Sequence, residues 1–132
     1  MDDMQHKPEI HRSASADRAQ AGREHDARVR LLELGASTLP ARPWRSSPMP
    51  PSAVDLTQFA VWRSADLPPD DLLSALALIP AARDEVEGLE AALLFTARAA
   101  GLTWAQIAES MGFRSPQACQ QHYNRLTARR GE

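Results

Sequence analysis

The sequence predicts an all-α chain: a trihelical helix-turn-helix core with one preceding helix and a disordered N-terminal tail. Three observations lead there. Beyond about residue 54, apolar side chains recur at three- and four-residue spacing, the mark of helices with one buried face. Pro68, Pro69, Pro80, Gly101, Gly112 and Pro116 fall where those patterns begin and end, as helix punctuation should. The first fifty residues show no comparable period.

In chain order, residues 1–22 are polar and aperiodic, a composition that buries too little apolar surface to order by itself. Residues 23–34, REHDARVRLLEL, can make three helical turns ending at Gly35, although Val29, Leu31, Leu32 and Leu34 do not settle on one stripe. Residues 36–53 hold Pro40, Pro43, Pro48, Pro50 and Pro51 among serines and arginines and read as an extended linker. The boundaries expected are therefore a disordered or partner-dependent tail and Pro-rich linker over 1–53 and a helical helix-turn-helix domain over 54–132. Within the linker, Arg42, Trp44 and Arg45 form a basic-aromatic knot, either an ordinary linker feature or an arm for a DNA backbone or minor groove.

From Val54 to Ala65 the pattern fits a short helix or an extended segment that lays Phe59 and Trp62 over the core. Pro68 and Pro69 open the next helix, with Asp70 and Asp71 in its first turn, where the macrodipole favours carboxylates. Leu72, Leu73, Leu76 and Ile79 are its apolar side, and Pro80 ends or kinks it. The longest helix is expected over residues 81–100, with Asp84, Glu85 and Glu87 at its acidic start and Gly101 at its end. Val86, Leu89, Leu93, Ala97 and Ala100 follow its repeat, with Leu94 and Phe95 on a neighbouring side, so two buried faces are expected, one toward residues 69–79 and one toward the last two helices.

The remaining stretch, LTWAQIAESMGFRSPQACQQHYNRL, is the most explicit. Thr103 and Gln106 are spaced as a capping box, and Leu102 with Ile107 as a hydrophobic staple. Gly112 supplies a left-handed exit, and Ser115-Pro116 caps a second helix with proline at its first position. Cys119, Tyr123 and Leu126 make a narrow inner stripe. Gln117, Gln120, Gln121 and Asn124 are left outside. A solvated face normally prefers Glu and Lys. An amide instead pairs a donor with an acceptor, the combination that reads adenine in the major groove. These four are the expected base contacts. Thr103, Arg114, Ser115, Arg125, Arg129 and Arg130 are the expected phosphate contacts, Thr103 through the positive end of its helix.

Composition bounds the alternatives. The chain has 132 residues and a net charge of −2, so it is not a diffusely basic nucleic-acid binder. The charge is unevenly spread: residues 51–113 carry three Lys or Arg against nine Asp or Glu, and residues 114–132 carry four against one. One cysteine excludes an internal disulfide. Cys119 and His122 lack the second pair that a zinc site needs, so neither a metal nor any other cofactor is expected. No apolar run approaches a membrane span and no secretion signal is legible, which gives the expectation of a cytoplasmic, nucleoid-associated protein with no membrane partner. No phosphate-binding loop or catalytic cluster is present, so no enzyme is expected. The partner expected is double-stranded DNA. A homodimer through the leucines of residues 69–79 would add affinity. The competing reading is a protein adaptor for RNA polymerase or a sigma factor, working through the acidic 51–113 region.

Residues 89–126 resemble the trihelical module of region four in sigma factors and of LuxR-type regulators. GLTWAQIAESMG is similar to their scaffold helix and turn, and SPQACQQHYNRL to their recognition helix. The stretch from about Leu67, with LPPDDLL, GLTWAQIA and SPQA, is similar to small DNA-binding proteins of high-GC bacteria. The resemblance implies that Gln117, Gln120, Gln121 and Asn124 face bases while Arg114, Ser115 and Arg125 hold phosphates. The turn Gly112-Phe113-Arg114-Ser115 is one residue longer than the usual Gly-aliphatic-Ser. A second resemblance, to Myb-like domains, rests on Trp104, Ile107-Ala108, Arg114-Ser115, Gln117, Cys119, His122-Tyr123 and Leu126. That family's tryptophan cage is missing, since residues 84–100 hold no tryptophan.

Overall fold

The computed structural model describes the backbone of residues 2–131 and the side chains of residues 12–131. Six α-helices are present: α1 (Asp2–Glu33), α2 (Ala53–Trp62), α3 (Pro69–Ala77), α4 (Ile79–Ala99), α5 (Trp104–Met111) and α6 (Pro116–Arg130). Short 3-10 turns at Ala36–Thr38 and Ser64–Asp66 and one isolated bridge between Arg42 and Arg45 complete the described residues. The all-α class is as expected. The chain forms two compact units, Met1–Ala82 and Arg83–Glu132, whose boundary falls inside α4.

The first unit reaches further back than the sequence suggested. The expected tail of residues 1–22 is helical from Asp2, and the weak helix of residues 23–34 is the end of the same α1. Ala27 and Leu31 are buried with Ala36, Leu56, Phe59, Ala60, Ala75 and Leu78 in one apolar cluster. The reason is economical: two residues at i and i+4 are enough to seat a helix on α2 and α3, yet too sparse to stand out as a stripe. Polar contacts hold the same seam. Gln20 Nε2 donates to the Ala77 carbonyl at 3.3 Å. The Arg30 guanidinium grips the buried Asp71 carboxylate through two bonds of 2.8 and 3.2 Å. Residues 12–53 thus pack in one compact unit with α2 and α3, and the two compact units meet in sequence at 82/83.

Two expectations in this unit are corrected. Arg45 is not part of a free arm: it is buried, its Nε lies 2.9 Å from Asp55 Oδ2, and its Nη2 donates to the Pro40 carbonyl at 2.8 Å. Trp62 does not cover the core, because it is 74% exposed while Phe59 is buried. A capping box that sequence reading passed over starts α2. The Ser52 hydroxyl accepts from the Asp55 amide, and the Asp55 carboxylate accepts from the Ser52 amide.

The second unit is the three-helix end of the chain. Leu94 from α4, Ile107 and Ala108 from α5, and Cys119 and Leu126 from α6 are its buried core. Ala91, Ala97, Trp104, Phe113 and Tyr123 pack around them. Gly101 (φ 91°) turns α4 into α5, and Gly112 (φ 80°) turns α5 into α6. In both turns the following residue donates back across five positions, Leu102 to the Ala97 carbonyl and Phe113 to the Ala108 carbonyl. That closure needs a left-handed residue, which glycine adopts without steric cost. It fixes the two short connections that set the angle between the helices.

Candidate nucleic-acid interface

α6 is built with an inside and an outside. Ser115 caps it by accepting from the Ala118 amide at 3.1 Å, and Pro116 occupies its first position. Cys119 and Leu126 are fully buried, and Tyr123 stacks on Trp104 with ring centroids 5.6 Å apart. His122 packs against Phe113 at 5.2 Å, and its Nε2 lies 2.7 Å from Glu90 Oε1 of α4. Those contacts fix the rotation of α6. With positions 119, 122, 123 and 126 turned inward, positions 117, 120, 121 and 124 must face away. Gln117, Gln120, Gln121 and Asn124 are accordingly all exposed. Four amide groups therefore stand in a row of i, i+3, i+4 and i+7 on a helix held rigidly from behind.

The six residues expected to meet phosphate divide into groups. Arg114 and Arg125 are exposed beside the amide row and make no ion pair among the described residues. The Ser115 oxygen is used in capping, which leaves its hydroxyl hydrogen to donate outward. Thr103 is occupied twice: its oxygen accepts from the Gln106 amide at 3.1 Å and its hydroxyl lies 3.1 Å from Gln106 Oε1. Any anion at the start of α5 would therefore be held by first-turn amides rather than by this side chain. Arg129 and Arg130 are already engaged. Arg129 Nη2 meets Glu87 Oε1 at 2.8 Å. Arg130 Nη1 donates to both the carbonyl and a carboxylate oxygen of Asp84, each at 3.0 Å.

This clasp between α4 and the last turn of α6 was not legible in the sequence. Asp84 and Glu87 belong to the acidic start expected for a helix over residues 81–100. The helix begins at Ile79, so both lie beyond its first turn, where the dipole effect has faded. Their partners are arginines more than forty residues later. Gly88 belongs to the same feature, because a Cβ there would sit 2.8 Å from Arg130 Nη2. An otherwise unfavourable mid-helix glycine makes room for the guanidinium to lie across α4.

Burial pushes the Cys119 thiol upward, and the nearby Glu90 charge adds to the effect. Cys119 is thus a small residue of the core. No group of three or more metal-binding side chains exists among the described residues, and none of the described helices is long and apolar enough to cross a membrane.

A rigid α6 with an outward polar face, braced by α5 through a glycine turn, defines a helix-turn-helix module of the DNA-binding type. Comparison with known families agrees with that class and narrows it. Residues 90–132 match a family described as Myb-like DNA-binding domain. The match lies wholly within the second unit, and it supports DNA binding by this part of the chain. Of the two resemblances in the sequence it favours the Myb-like one, and it says nothing of sigma factors, LuxR-type regulators or high-GC bacteria. No curated protein and no solved structure matches the chain. The missing tryptophan cage now has a physical account. Leu94 fills the core from α4, and the one tryptophan of the unit, Trp104, lies half-buried between Tyr123 and the Arg98 guanidinium, 5.0 Å from its ring centre.

Proposed function

We propose that the second unit binds double-stranded DNA sequence-selectively, with α6 in the major groove, and that the protein acts as a non-catalytic transcriptional regulator. The observation that carries this reading is the exposed row Gln117, Gln120, Gln121 and Asn124 on a helix whose other face is locked into the core. Those amides contact base edges. Arg114, Arg125 and the Ser115 hydroxyl hold the flanking phosphates and set the register. So few phosphate contacts make one module a weak binder, and a second copy would supply the rest. Leu73 and Leu76 of α3, each 62% exposed, support self-association through the first unit.

Selection from random duplexes, followed by binding titrations of single variants, tests the assignment. Replacing Gln120 or Gln121 with alanine should cost about 1–3 kcal/mol at one base position and leave unrelated duplexes nearly unaffected. An equal loss on every duplex would refute base readout by these side chains.

A further inference from the structure

α4 presents a second working surface. Val86, Leu89 and Leu93 are 54%, 64% and 70% exposed. With Ala97 they follow a 3-4-4 spacing along one side of the helix, a strip about 16 Å long at 1.5 Å per residue. Leu102 and Met111, each about 40% exposed, face the same space from the α5 side. Together these residues bound an open groove of about 760 Å³ between α4 and α5, floored by the core residues Leu94 and Ile107. Isolated exposed leucines need no explanation, but a contiguous apolar trough of this length does. None of these residues belongs to the amide row of α6.

We infer that this groove seats an amphipathic helix of a partner protein, with leucine-like residues at i, i+3 or i+4, and i+7 and lysine or arginine along its flanks. The trough's length and spacing match the way such a helix anchors in an apolar groove. Its charge selects the flanks. Glu90 and Glu109 line the groove, and no lysine or arginine does. A second copy of this chain is the poorer occupant, because it would set Glu90 and Glu109 against their own like charges. The inference does not depend on DNA recognition, since it uses a different face of the module.

The test uses the full chain and two labelled helical peptides of about 16 residues, near the length at which isolated helices persist. Both carry leucine at the anchor positions; one carries lysine and the other glutamate on the flanks. Fluorescence anisotropy should show saturable binding of the lysine peptide and at least roughly tenfold weaker binding of the glutamate peptide, since like charges oppose docking. Leu93→Glu should weaken the lysine peptide by more than about tenfold, because a carboxylate would have to be buried. Its exposure makes the variant safe for folding, which circular dichroism checks. Glu109→Gln should weaken the same peptide by a smaller factor while leaving the apolar anchors intact. The proposal is overturned by equal affinity for both peptides, or by binding that Leu93→Glu leaves unchanged. It is equally overturned by failure of the lysine peptide to bind, or by self-association that Leu93→Glu abolishes. Duplex titrations of Leu93→Glu should match the wild type, so loss of peptide binding and loss of DNA binding are separable results.

Discussion

Neutralising Asp84 and Glu87 should make the protein a tighter but less discriminating DNA binder. Arg129 and Arg130 meet those two carboxylates at 2.8 and 3.0 Å, so a phosphate must compete with them for both guanidiniums. The pairs themselves are cheap to lose. Both lie at the surface, where an ion pair is worth about 0–1 kcal/mol, so Asp84→Asn with Glu87→Gln should leave the unit folded. Each arginine that then reaches a phosphate releases counterions and steepens the dependence of log K on log salt by about 0.9. Two freed arginines therefore steepen it by up to about 1.8. If each pair opposes binding by about 0.3–1 kcal/mol, the combined gain in affinity is roughly 3- to 30-fold at constant salt.

The assay is a fluorescence titration of a labelled duplex with the full chain, repeated from about 50 to about 200 mM salt, the range over which phosphate contacts show most clearly. Asp66→Asn with Asp70→Asn changes the net charge equally within the first unit and serves as the control. The gain should appear on selected and unrelated duplexes alike, because phosphate contacts carry no sequence information. An unchanged salt slope in the Asp84/Glu87 variant, or the same change in the control, would refute the competition.

Three further outcomes follow from the same geometry. Gly88→Ala should raise the helical stability of α4 by up to about 1 kcal/mol while displacing Arg130 from its seat; duplex titrations should show a salt slope steeper by about one, and an unchanged slope would mean that the guanidinium simply shifts aside. Cys119, buried and with its thiol pushed upward, should resist a thiol reagent at mildly alkaline pH until denaturant opens the unit. Stoichiometric labelling on mixing would contradict the packing. The hydrogen bond from Arg30 holds the Asp71 carboxyl below the usual carboxylate range, so the stability it contributes is complete at neutral pH. That stability is lost only as pH falls below about 4 through the depressed value. Asp71→Asn should lower the melting temperature at pH 7 and matter progressively less on acidification; an equal deficit at both ends of a melting series would sink the assignment.

The second unit was written plainly in the chain because its signals are local. The Thr103–Gln106 box, the Gly112 exit and the Ser115-Pro116 start each span four residues or fewer, and all three stand in the structure as spaced. The inward stripe of α6 was equally readable, since a period of three and four places Cys119, Tyr123 and Leu126 together. What escaped was non-local. Nothing near Ala27 and Leu31 announces that α2 and α3 complete their surroundings, so residues 1–22 read as a tail and residues 23–34 as a weak helix of their own. Arg45 read as part of a basic-aromatic knot in a linker because its partners, Asp55 and the Pro40 carbonyl, become neighbours only when the linker folds back. The clasp on Arg129 and Arg130 joins residues more than forty apart, and no periodicity carries that information.

The internal pairing changes what kind of binder the second unit can be. Residues 114–132 look strongly basic in sequence, with four arginines against one acid, and a reader of charge alone would assign the affinity to them. Two of the four are neutralised by α4, so long-range attraction to phosphate is weaker than the count implies. What remains outward is the uncharged amide row, and the base contacts proposed for it would respond to base identity and hardly at all to salt. Weak general attraction beside intact base contacts raises the ratio of specific to non-specific binding, the quantity that matters when many competing sites surround one target. Under the proposed function the acidic start of α4 is thus no obstacle to DNA recognition: by occupying two indiscriminate cations it would leave discrimination to Gln117, Gln120, Gln121 and Asn124.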